Sequence, residues 1–416
     1  MEVIKEKGPI SGALFYIYKL SSGIKCYIIP KCGFKTMQAM AVVGFGSADT
    51  SFSCGGEGFE MPAGTAHFIE HKLFDKKEKS AFTELSKNGA SVNAFTDFAR
   101  TCYYFSCQDN FYENLRTLVD MVSQPYFDEK GVESEKSIIA SEINMYKDIP
   151  DRRVFSNLTK IMYPHSPLGE EIAGTEKSIE KITPEILYKC YNAFYTPENI
   201  SIICCGDIEP EKAALIVQNA KFSAEGCEKN ILRDNMPRLN DYVSKTLGIS
   251  EPVFNVGFKY SNFDITPENT YAIKMIFDIV SGEGSKLNER LLNRQVLSEP
   301  LGFSLICTDH GSFSVVSGKS SKPAYIANSL IKTASRLKET GLNDTTLKRV
   351  RSMYCGRIIR GFNSVEAICM AQAELSKYNL TICDAERAVS AMTADKLNSL
   401  SASVFERENA YLSVVK

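Results

Sequence analysis

The chain of 416 residues has no tryptophan and only four histidines, and nowhere does it approach the roughly 20 consecutive apolar residues of a membrane-spanning helix. The missing tryptophan excludes nothing. The missing apolar run predicts no helical membrane span. Charge of one sign is also lacking: Lys+Arg number 48 against Asp+Glu 50, for a net charge of −2. No overall field therefore favours nucleic acid or an anionic membrane as a partner. The one lysine cluster, DKKEK at residues 75–79, is interrupted by acidic residues and reads as a solvated helix face. MEVIKEKGPISG at the start lacks the basic segment and apolar run of a secretory signal, so none is expected. No C-x-x-C occurs among the 13 cysteines, which lie beside apolar residues from Cys26 to Cys383. That pattern predicts reduced thiols packed as small hydrophobes, and a cytoplasmic location.

What is present is a composition of 44% hydrophobic and 24% charged residues, as in ordinary globular proteins. The length exceeds what one hydrophobic core serves, so two or more domains are expected. ALFYIYKL, KCYIIP and TMQAMAVVGFGS read as strands, rich in β-branched and aromatic residues and bounded by turn formers. GTAHFIEHKLF and the span from about 110 to 148 have helical spacing, ASVNAFTDFARTCYYFSC alternates like a strand pair, and NISIICCGDI reads as a buried strand. Without strict βαβ alternation, this mixture predicts an α+β fold.

The order of elements then repeats. After a polar connection, CEKNILRDNMPRLNDY at 227–242, EPVFNVGFKY takes the place of MQAMAVVGFGS and TYAIKMIFDIVSG that of GTAHFIEHKLF. KLNERLLNRQVLSEPLGFSLICTDHGSFSVVSG parallels AFTELSKNGASVNAFTDFARTCYYFSC. We expect two related domains, 1–229 and 230–416, each a largely antiparallel sheet packed against helices, with metal-ligand residues only in the first.

Residues i, i+3 and i+4 share one helical face, so His67, Glu70 and His71 can project toward one point. Two imidazoles at that spacing can bind one Zn2+ and leave the carboxylate between them to work on a bound water. The order H-x-x-E-H is the inverzincin motif. Catalytic zinc usually takes three protein ligands, and GVESEKSIIASEINMY offers Glu135 and Glu142, seven apart on one helical face beside Ile138 and Ile139.

HFIEH followed by E-x6-E on an apolar-periodic helix resembles the pitrilysin/insulinase family of zinc metallopeptidases, in its smaller bacterial and processing-peptidase-like branch. The likeness extends over nearly the whole chain through GFGSADT, NGASVNAFTDFARTCYYFS and GEEIAGTEKSIEKITPEILYKCYNAFYTPENISIICCGDI. It implies a fold that is half of a peptidase clamshell. It also implies His67, His71 and Glu142 as zinc ligands, Glu70 as general base on a zinc-bound water, and Glu135 as a carboxylate orienting a ligand. Asn93, Ala94, Phe95 and Thr96 match an edge strand along which the family pairs an extended peptide substrate.

One feature departs from the family. Where many members carry an arginine and a tyrosine seven apart in the second half, this sequence has Val296 and Phe303, with Arg294 out of register. A phenyl ring donates no hydrogen bond. The resemblance therefore implies a homologous partner subunit that supplies the pair, a hetero-pair being favoured over a homodimer. His165 and His310 lack ligand-spaced partners and read as loop and turn residues. The expected activity is that of a zinc endopeptidase cleaving peptides or unfolded segments in an enclosed chamber. The alternative is a noncatalytic or weakly active assembly subunit of a peptidase-like heterodimer, against which the intact H-x-x-E-H argues.

Overall fold

Apolar runs bounded by turn formers become strands in the computed structural model, which describes residues 1–77, 79–222, 224, 226–234, 240–261 and 263–416. Two units result. One comprises Met1–Ile143, Glu171–Ile231 and Arg357–Glu386; the other comprises Asn144–Glu170, Leu232–Gly356 and Arg387–Lys416. Neither is a continuous piece of chain, because each takes in a helical segment from the other half of the sequence.

The first unit is built on β1 (Glu2–Lys7), β2 (Leu14–Lys19), β3 (Lys25–Pro30), β4 (Met37–Val43), β5 (Ser51–Cys54), β6 (Glu57–Glu60), β7 (Ser91–Thr96), β8 (Thr101–Cys107), β9 (Ile200–Gly206) and β10 (Glu228–Lys229). Seven of these form one sheet in the order β1-β2-β3-β9-β4-β8-β7, and the short β10-β5-β6 form a second. All neighbours in the large sheet are antiparallel except β3 and β9.

Both faces of its central strands are covered. Cys26, Ile28, Ala39, Ala41, Tyr103 and Ile202 bury against α1 (Thr65–Lys72), α2 (Ala81–Lys87), α3 (Phe111–Ser123) and α4 (Glu129–Lys147). Tyr27, Ile29, Met40, Val42 and Ile203 bury against Ile368 and Cys369 of the helix Val365–Ser376. Such double coverage explains why ISIICCG is apolar without alternation.

In the second unit the sheet runs β11 (Tyr242–Lys245), β15 (Ala410–Val415), β12 (Val253–Tyr260), β14 (Gly311–Lys319) and β13 (Gly302–Thr308). This order reproduces β3-β9-β4-β8-β7 strand for strand, including the single parallel pair, β11 with β15. EPVFNVGFKY and the hairpin after it stand where the repeat predicts. Residues 235–239, in the middle of the expected polar connection, lie outside the described residues.

Some expectations are corrected. The helical span 110–148 is two helices, broken where Gln124 leaves the helical region before Pro125, as a residue preceding proline tends to do. Of DKKEK, Glu78 lies outside the described residues. The rest is loop rather than a solvated helix face, because Lys76 turns inward and its ammonium caps the carbonyls of Asp120, Met121 and Gln124 at the end of α3. Burial there pushes its pKa down to about 8. The expectation of reduced thiols throughout is also corrected: Cys54 of β5 and Cys227 form a disulfide with a Cα–Cα distance of 4.9 Å, within the usual range. Most other cysteines are buried thiols outside any disulfide, as expected of small hydrophobes. Among the described residues no helix is long and apolar enough to cross a membrane.

Candidate metal centre

An eight-residue helix such as α1 does not persist alone in water; it exists here because its surroundings hold it. Phe68 and Ile69 are fully buried in the core beneath the sheet, each stabilising by about 1.5–3 kcal/mol. The helix starts at Gly64, whose φ of 93° is a left-handed value, and a Cβ there would lie 2.5 Å from the carbonyl oxygen of Ala173. Only glycine meets both demands.

With Phe68 and Ile69 turned inward, His67, Glu70 and His71 share the face toward α4 and β7. Helix α4 buries Val132, Ile139 and Ile143, and the same inward side carries Glu135 and Glu142. Ile138, expected beside them, is 54% exposed. Glu142 Oε2 lies 3.7 Å from His67 Nε2 and 3.4 Å from His71 Nε2. Ligand atoms of His67, His71 and Glu142 all fall within 4.8 Å of one another.

These distances suit a zinc ion. Ligands bound tetrahedrally at about 2.0–2.1 Å sit about 3.3–3.4 Å apart, close to the two separations measured. His71 Nδ1 donates to Glu135 Oε1 at 2.9 Å, which turns Nε2 toward the cluster. Burial disfavours a charged His71, but hydrogen bonds to Glu135 and Glu142, with the charges of Glu70 and Glu135, outweigh it and push the pKa up to about 10. The donor set of two imidazole nitrogens and a carboxylate, in surroundings that stabilise positive charge, fits a divalent cation.

Glu70 is 9% exposed. Burial raises its pKa, opposed by a hydrogen bond from Thr96 and by His71, while Glu142 adds to the rise. Thr96 Oγ1 donates to Glu70 Oε2 at 2.6 Å. Thr96 ends β7, which lies at the edge of the seven-stranded sheet with β8 on one side and no described strand on the other. Val92 and Ala94 pack against the core that holds α1, and Phe95 against the opposite one. Asn93 is exposed and its Oδ1 accepts from the backbone N–H of Ala94 at 2.8 Å.

The second-half positions where the resemblance places an arginine and a tyrosine hold apolar residues in other contacts. The Phe303 ring, on β13, stacks on Phe277 with centroids 4.1 Å apart. Arg294 is exposed at the end of the helix Lys286–Asn293, and the Val296 carbonyl accepts from Ser320 Oγ at 2.6 Å. His165 is an exposed loop residue. His310 does occupy the β13–β14 turn, yet it is 3% exposed and its Nδ1 accepts from the Leu232 N–H at 3.1 Å. Nothing in the sequence names the Thr96–Glu70 bond; alternation along β7 from Val92, which packs on the core that holds α1, is the signal that could have turned Thr96 toward that helix.

Known proteins are similar to this chain in sequence and fold. A family model described as Insulinase (Peptidase family M16) matches residues 55–176, which contain the whole cluster, and one described as Peptidase M16 inactive domain matches residues 181–354. The uncharacterized zinc protease YmfH of Bacillus subtilis (strain 168) is 31% identical over 396 residues, covering 92% of each chain. A mitochondrial-processing peptidase subunit beta of Arabidopsis thaliana is 25% identical over 197 residues, 42% of this chain and 37% of that one. The crystal structure of an M16-like peptidase from Alicyclobacillus acidocaldarius matches with a TM-score of 0.91 at 26% identity, covering 100% of this chain and 99% of the other.

Proposed function

Because the chain belongs to the insulinase family of peptidases, family M16, we propose that it is a zinc-dependent endopeptidase acting on peptides or unfolded segments. The observation that carries this reading is the convergence of His67, His71 and Glu142 beside a buried Glu70. A zinc ion held by His67, His71 and Glu142 would supply Lewis acidity toward a water and the scissile carbonyl. Glu70 takes the proton from the attacking water and passes it to the leaving amine. Glu135 fixes the tautomer of His71 by accepting its Nδ1–H. An extended peptide adds as a strand along the open edge of β7 from Asn93 to Thr96, taking over the Ala94 N–H from Asn93 Oδ1.

A homologous partner subunit completes the site in this proposal. Phe303 is committed to its stack on Phe277 and has no hydrogen to donate, so the donors that grip the reacting carbonyl come from a second chain. A relative named as a subunit of a processing peptidase supports the same view.

The test is zinc analysis of the purified chain, alone and with any co-purifying partner, together with cleavage of a pool of unstructured peptides by wild type and Glu70→Gln. The expected result is about one zinc per chain in both proteins and cleavage by wild type only. Equal cleavage by both contradicts the mechanism. Zinc retention with no cleavage by wild type in any combination favours an assembly subunit instead.

A further inference from the structure

We propose that Thr96 is a positioning residue, its hydroxyl holding the carboxylate of Glu70 from the same strand that receives the substrate backbone. This inference rests on the peptidase reading. Thr96 entered as a residue of the substrate strand; the structure gives its side chain a different task.

Hydrogen accounting supports it. Thr101, directly across from Thr96 in the β7–β8 pairing, donates its only hydroxyl hydrogen to the carbonyl of Phe45 at 2.8 Å. Its Oγ1 is 3.4 Å from Thr96 Oγ1 and, toward Thr96, can only accept. Thr96 thus has two acceptors for one hydrogen, and the carboxylate wins: 2.6 Å is the separation of a charge-assisted O–H···O− bond. The bond to Oε2 fixes how the Glu70 carboxylate is turned.

The backbone under Thr96 is held as well. Ser47 N–H donates to Asp97 O at 2.9 Å and Ala48 N–H to Phe98 O at 3.1 Å, tying the loop after β4 to the turn that follows Thr96. A Cβ at Gly46 would lie 2.5 Å from the backbone nitrogen of Ala99, so the GFGS loop approaches this closely only as glycine. A β-branched side chain on a clamped strand has little rotamer freedom. The carboxylate is aimed by a rigid element rather than by a loop.

Thr96→Val preserves shape and deletes the hydroxyl; Thr96→Ser preserves the hydroxyl and frees the rotamer. With a cleavable peptide from the pool as probe, Thr96→Val is expected to lower kcat roughly 10- to 100-fold with KM little changed, the signature of a lost charge-assisted bond felt in the transition state. Thr96→Ser should restore most of the rate, and zinc content should stay at the wild-type value in both. A rise in KM at constant kcat would make Thr96 a substrate contact, and loss of zinc would make it merely structural; either overturns the proposal. Crystal structures of wild type and Thr96→Val give a readout independent of turnover. Glu70 should leave its wild-type rotamer while His67, His71 and Glu142 stay in place, and an unmoved Glu70 refutes the idea. Absence of cleavage by wild type would count against the peptidase reading alone, since the two structures still decide what Thr96 does.

Discussion

The same five strands in the same order serve two purposes in this molecule. In the first unit the helix after β4 offers His67, Glu70 and His71 to one point and borrows Glu142 from α4. In the second unit the helix after β12, Pro267–Val280, buries Ala272, Ile273, Met275, Ile276 and Phe277, and the β13 edge contributes Phe303 to that packing. One copy carries buried charge that a bound cation would compensate; in the other the helix makes mainly apolar contacts, which need no ion.

Substitutions at the two helices should therefore separate stability from chemistry. Phe277→Ala should cost about 3–5 kcal/mol of stability, read as a lowered denaturant midpoint, with zinc content unchanged in the folded fraction. Glu70→Gln should do the reverse, lowering kcat on the order of 10² to 10⁴ without shifting the midpoint downward. A Phe277→Ala chain that loses zinc while folded, or a Glu70→Gln chain that cleaves normally, would break the contrast. A smaller effect is expected at Glu135→Gln, where loss of the carboxylate partner of His71 should weaken zinc binding roughly 10- to 100-fold in a chelator competition. Gly64→Ala should destabilise by about 1–3 kcal/mol through its left-handed φ, measured by denaturation of the zinc-loaded protein. The smallest effect is reserved for Phe303→Tyr, which should leave the rate of a two-chain assembly essentially unchanged. A gain on the order of 10² to 10³ in the isolated chain would identify a self-sufficient enzyme with one missing donor.

Much of this contrast was legible beforehand, because helical spacing is a strong signal. His67 and His71 four apart, and Glu135 and Glu142 seven apart, announce shared faces, and the repeat of strand and hairpin patterns announces the second unit. Distant partnerships were not legible. Cys54 and Cys227 stand 173 residues apart, and nothing local marks them as a pair. Lys76 resembles its solvated neighbours and differs only because the end of α3 comes to meet it. Strand β1 is hard to read because its charged residues mask alternation; it is an edge strand with Val3, Lys5 and Lys7 exposed and Ile4 and Glu6 half-buried. Thr96 shows the same limit at the site itself, for its partner Glu70 lies 26 residues back on another element.

The most direct trial is a crystal structure of the protein grown with zinc, located by anomalous scattering at the zinc edge. The account predicts a single strong peak within about 2.0–2.2 Å of His67 Nε2, His71 Nε2 and a Glu142 oxygen, with Glu70 close by but not bound. A peak elsewhere, or Glu142 turned away from the two imidazoles, would contradict it.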